Sequence, residues 1–122
     1  MGGQWVNGWF VKTISGYEAE GDYVEISSEE YAALFANHLE GYEKDRLHGE
    51  RKVEIWLKEH CGFVYYVMEL VKKAGGGTMM MVPAAEWGPS FMRAKGLSAG
   101  STVGFCWDPQ GFLIFHVGYS FI

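Results

Sequence analysis

The alternation of apolar and polar residues divides the chain into short extended segments. Residues 51–59 alternate cleanly, with Val53, Ile55 and Leu57 on one face and Lys52, Glu54, Trp56 and Lys58 on the other. A period of two predicts a strand with one face inward. Trp56 falls on the polar face of that strand and is the best candidate for an exposed aromatic that marks a contact surface. Residues 63–71 are almost continuously apolar, which predicts a strand covered on both faces. Residues 79–82 form a short apolar run stopped by Pro83 and read as a buried strand whose methionines fill core space. Residues 9–12, 23–26, 102–107 and 112–117 supply four more strands, with Val103, Phe105 and Trp107 sharing a face.

Two short helices interrupt the strands. Ser27 and Glu30 stand at capping-box spacing, and Tyr31, Leu34, Phe35 and His38 follow on one helical face, which His38 closes. Pro89 fits only the first turn of a helix, so the second begins near Gly88. Gly96 supplies its left-handed stop, and Leu97 folds back onto it. Residues 13–22, 41–49, 72–77 and 108–111 read as loops and turns. Residues 1–8 read as a flexible lead and 9–122 as a single domain, mostly β, with seven strands and two short α-helices.

Composition narrows the class. With 48% hydrophobic residues and seventeen glycines against three prolines, the chain is a globular, turn-rich β protein. No apolar run approaches twenty residues, which predicts no membrane span, and residues 1–6 lack the charged start and apolar core of a secretory signal. Cys61 and Cys106, with no glycosylation sequon, predict two buried free thiols in a reducing interior. The net charge of −5 is uneven: residues 1–50 hold ten acids against three bases, whereas 51–122 hold five acids against seven bases. The second part can therefore present a local positive patch.

The run Glu86-Trp87, Phe91-Met92, Gly96-Leu97-Ser98-Ala99-Gly100-Ser101-Thr102-Val103 resembles the second half of the plant-specific B-three DNA-binding domain. That superfamily includes the auxin-response-factor, abscisic-acid-insensitive and reproductive-meristem transcription factors. Its usual run is Gly-Trp, a Phe-hydrophobic pair, then Gly-Leu-x-x-Gly-Asp-x-Val; here Glu86 and Ser101 replace a Gly and an Asp. In the front half, Phe10-x-Lys12 and Val24-x-Ile26-Ser27 resemble the family's Phe-x-Lys opening and its Leu-x-Ile-Pro entry to the first helix. The resemblance covers about residues 9–118 and is nearest to the divergent reproductive-meristem type.

The resemblance implies a seven-stranded open barrel, or pseudobarrel, in a nuclear transcription factor. It implies no enzymatic activity and no cofactor, and double-stranded DNA gripped in the major groove by two loop arms. By position, the first arm is Lys12, Ser15 and Tyr17, and the second is Lys72, Lys73, Gly75, Gly76 and Thr78. The lysines would neutralise phosphates, the Ser15 and Tyr17 hydroxyls would reach phosphates or base edges, and the glycines would let backbone amides approach the DNA. The first arm departs from the pattern by carrying Glu18, Glu20 and Asp22, which repel phosphate.

Two other readings stay open. A B-three fold that has lost DNA binding would act as a protein-interaction module. A small β-barrel enzyme or ligand binder would need Cys106 and His116, on strands expected to pair, to share a pocket with an orienting partner. Gly75-Gly76-Gly77-Thr78 lacks the Gly-Lys-Ser/Thr ending of a phosphate loop. His60-Cys61 has no second ligand pair at metal spacing.

Overall fold

Each predicted strand lies in a single open sheet, and an eighth strand precedes them. The computed structural model describes residues 3–62, 65–73, 78–83 and 91–118. In chain order these form β1 (Gln4–Val6), β2 (Trp9–Thr13), α1 (Gly16–Gly21), β3 (Val24–Ile26), α2 (Ser28–Leu34) and α3 (Gly41–Gly49). There follow β4 (Lys52–Glu59), β5 (Tyr65–Lys72), β6 (Met79–Pro83), α4 (Phe91–Ala94), β7 (Thr102–Trp107) and β8 (Leu113–Val117). The sheet order is β1-β2-β7-β8-β4-β5-β6-β3. Every pairing is antiparallel except β4 with β8, where Leu57 stands opposite Leu113 in a parallel seam.

The expected lead at residues 1–8 contains β1. Asn7 and Gly8 both take positive φ, at 50° and 84°. They form a two-residue hairpin turn that matches strand twist, which sets Val6 opposite Trp9. Two expected loops are helical. Residues 13–22 contain α1, opened by a capping box between Ser15 and Glu18. Residues 41–49 are α3, with Glu40 and Glu43 in a capping arrangement. The expected α2 is present, with its own box between Ser27 and Glu30. Of the second expected helix, Phe91–Ala94 is helical, and its predicted start near Gly88 lies outside the described residues. Gly96 does hold a left-handed φ of +65°, and Leu97 N–H bonds back to Met92 O at 2.8 Å.

The core lies under the inward face of the sheet. Val53, Ile55 and Leu57 of β4 are buried, while Lys52, Glu54 and Trp56 face out. Val67 and Met68, on opposite faces of β5, are both buried, whereas Tyr65 at the start of the strand is exposed, so the expected cover on both faces is incomplete. Met79 and Met81 are likewise buried. Phe105 of β7 and Phe115 of β8 stand opposite each other with no exposed surface. Burying each such side chain contributes about 1.5–3 kcal/mol. The Trp107 indole N–H donates to Leu34 O at 2.6 Å and ties the end of α2 to β7. No described helix is long and apolar enough to cross a membrane.

No ladder joins β1 or β2 to β3. Side chains bridge these strands instead, and they place the first candidate site.

Candidate functional site

β3 is an edge strand, so one row of its backbone groups needs partners from elsewhere. Glu25, at its centre, obtains both from the first arm. Its N–H donates to Glu18 Oε2 at 2.8 Å, and its carbonyl accepts from Lys12 Nζ. Glu18 also closes the α1 cap by accepting from Ser15 N–H at 2.9 Å. Glu30 repeats the device on α2. One of its oxygens accepts from Ser27 N–H and from Lys12 Nζ at 3.1 Å, and the other accepts from Gly3 N–H at 2.7 Å. Burial alone would push the Glu30 carboxyl up. The Ser27 and Gly3 N–H groups and the Lys12 ammonium outweigh burial and hold its pKa below the ordinary value.

This arrangement corrects the expected role of Lys12. Its side chain is 5% exposed, and its ammonium lies against Glu30 and the Glu25 carbonyl, so it does not project toward a phosphate backbone. Ser15 is exposed, but its Oγ accepts from Glu18 N–H as the cap of α1. Tyr17 is 82% exposed on α1 and available for contact. Beside these residues opens a cleft of about 530 Å³ lined by Glu18, Glu25, Glu29 and Glu30. Among the described residues, Lys12 is the single basic residue in its lining.

The second arm joins β5 to β6. Lys72 and Lys73 are half-buried, and Lys73 N–H donates to Thr78 O at 3.2 Å. Gly75 and Gly76 lie outside the described residues. An unforeseen neighbour is Arg51, which takes a positive φ of 66°. Its guanidinium donates to Lys73 O at 2.9 Å, and its carbonyl accepts from Lys72 N–H. Arg51, Lys72 and Lys73 therefore meet at one corner of the sheet.

The residues weighed for other chemistry are placed differently. Cys106 stands opposite Ile114 and His116 opposite Gly104, so the two share a face but are diagonal neighbours. Burial, with help from Asp108, pushes the Cys106 thiol up, opposite to the activation a nucleophile needs. His116 packs near Trp9 and His60, with ring centroids 5.8 and 5.3 Å away. Cys61 is exposed, not buried, in a turn where it holds a φ of 59°. Among the described residues no three His, Cys, Asp or Glu side chains gather as metal ligands would.

His38 does not close the apolar face of α2. It is exposed and stacks on Trp107, with centroids 5.0 Å apart and planes 11° from parallel. Tyr42 on α3 and Trp56 on β4 are the large exposed aromatics nearby. Compared with models of known protein families the chain matches none, and comparison with curated proteins finds no match either.

Proposed function

We propose that this chain is a divergent B-three-like pseudobarrel serving as a protein-interaction module. Strands at the seven positions read from the apolar pattern, in one open eight-stranded sheet with α2 and α4 at the places expected for its two helices, support the scaffold. The observation that carries the function is the state of Lys12. A cationic clasp needs ammonium groups on both arms, and this one is buried against Glu30, beside a cleft lined by four glutamates. A net charge of −5 adds no general attraction for a phosphate backbone. Exposed Tyr17, Tyr42 and Trp56 are residue types that anchor protein interfaces.

A second reading, one-sided contact with double-stranded DNA in the nucleus, draws on the meeting of Arg51, Lys72 and Lys73. Titration of a randomised DNA duplex library at 20 mM and 150 mM salt separates the two. The module reading expects no retention at either salt. Retention at low salt that disappears in Lys72→Glu/Lys73→Glu would replace it with the DNA reading.

A further inference from the structure

We propose that the cleft between α3 and the outer face of β4 receives a lysine or arginine side chain from a basic polypeptide segment. This rests on the interaction-module reading and names the chemistry of its partner. The cleft encloses about 250 Å³, room for roughly eight water volumes at about 30 Å³ each. That suffices for a cationic head group.

Its walls are aromatic and held in place. Trp56 is 44% exposed, and its indole N–H donates to Glu54 Oε1 at 2.9 Å, which fixes ring and carboxylate together. Tyr42, 66% exposed, stands on the α3 side. Trp107 and the stacked His38 complete the lining, with the Trp107 ring anchored through Leu34. Aromatic faces attract a cation through the ring quadrupole.

The charges in the lining have one sign. Glu40, Glu43 and Glu54 line the cleft, and among the described residues no Lys or Arg does. None of the three belongs to an ion pair found among the described residues. Such a cleft repels nucleic acid and acidic peptides and complements a cation.

The surface beside the cleft favours a cation carried on a chain. Phe112 lines the cleft, and exposed Tyr65 packs on it with centroids 5.3 Å apart, so the aromatic surface continues past the cavity. Lys58 Nζ already lies 5.9 Å from the centre of the Tyr65 ring, a cation over an aromatic face within the same strip. A bound segment can lay its lysine or arginine stem along these rings while the charged head meets the carboxylates.

The test follows the tryptophan indole N–H resonances of the full chain by ¹⁵N–¹H correlation spectroscopy. The probes are an acetylated, amidated heptapeptide alternating glycine with lysine, and its counterpart with glutamate for lysine. The lysine peptide should shift the Trp56 and Trp107 indole signals saturably, and the glutamate peptide should not. Trp56→Ala should weaken binding about tenfold. Glu54→Gln, an exposed and nearly isosteric change, should weaken it about twofold to fivefold with unchanged thermal unfolding. Silence of both indoles at millimolar lysine peptide, or an equal response to the glutamate peptide, would overturn the inference. The duplex library is titrated into the same samples. Peptide and duplex both silent removes the cation site alone; peptide silent and duplex bound removes the interaction reading with it.

Discussion

Lys12 and Glu30 form an ion pair at 3.1 Å with side-chain exposures of 5% and 7%, the most enclosed pair among the described residues. One residue comes from β2 and the other from α2 after the β3 edge, so the pair joins elements that no ladder connects. Removing one partner leaves a buried charge without its counterion. Lys12→Met should cost about 3–5 kcal/mol in urea unfolding. Lys12→Met with Glu30→Gln should recover part of that loss, because the amide carries no charge and its single oxygen still accepts from one of the two N–H groups, Ser27 or Gly3. If Lys12→Met unfolds like the parent, the bridge is not structural and Lys12 is again free to serve elsewhere.

The same pair predicts acid sensitivity. The folded-state pKa of Glu30 lies below its ordinary value of 4.5. A lowered carboxyl pKa contributes stability that is complete above the unfolded value and disappears as pH falls through the folded one. Unfolding free energy should therefore be flat near pH 6 and should decline below about pH 4.5. Glu30→Gln, which cannot titrate, should show a shallower decline than the parent. Equal slopes for parent and variant would show that other groups govern acid unfolding.

The thiols should separate in rate. Cys61 is exposed, whereas Cys106 is half-buried with its pKa raised by burial and by Asp108. Labelling with an aromatic disulfide reagent at pH 7.5 should modify one thiol rapidly and the other about tenfold more slowly or worse, because the reaction needs an accessible thiolate. Cys61→Ser should abolish the fast phase. A fast phase surviving in that variant would place a reactive thiol at Cys106 and revive the small-enzyme alternative.

Both capping serines act at the N-termini of short helices. Ser15 Oγ accepts from Glu18 N–H and Ser27 Oγ from Glu30 N–H, each at 3.1 Å. Ser15→Ala and Ser27→Ala should each cost about 1 kcal/mol in thermal unfolding. Their effects should add, because the caps serve different helices. A cost well below that at Ser15 would mean α1 is dispensable to the fold.

The strands were legible because their burial is simple. In β4 one face meets the core and the other meets solvent, so Val53, Ile55 and Leu57 announced themselves through alternation. The helices were harder. α1 carries the same Ser-x-x-Glu signal as α2, but Gly16 and Gly21 bound it and it presents no apolar stripe. α3 begins and ends in glycine and buries only Leu47. The Asn7-Gly8 turn was a readable hairpin signal inside what looked like a glycine-rich lead.

The fate of Lys12 was not readable at all. Spacing can place a lysine on a strand, but only the packing of α2 against that strand reveals that its charge meets Glu30. The aromatic cleft was half-visible. Trp56 stood out by its position on a polar face, whereas His38 and Tyr42 come to it from one segment of the chain and Trp107 from another.

The parallel seam between β4 and β8 sets an order of assembly. β4, β5, β6 and β3 make one antiparallel set; β1, β2, β7 and β8 make the other; the Leu57–Leu113 register stitches them. The β1–β2 hairpin is synthesised before its sheet neighbour β7, which lies about ninety positions downstream. During synthesis the β1–β2 hairpin must wait, its second edge unsatisfied, until residues 102–117 emerge. Closing so long a loop slows folding, so these strands should reach their native pairing on the slow side for a domain of this size.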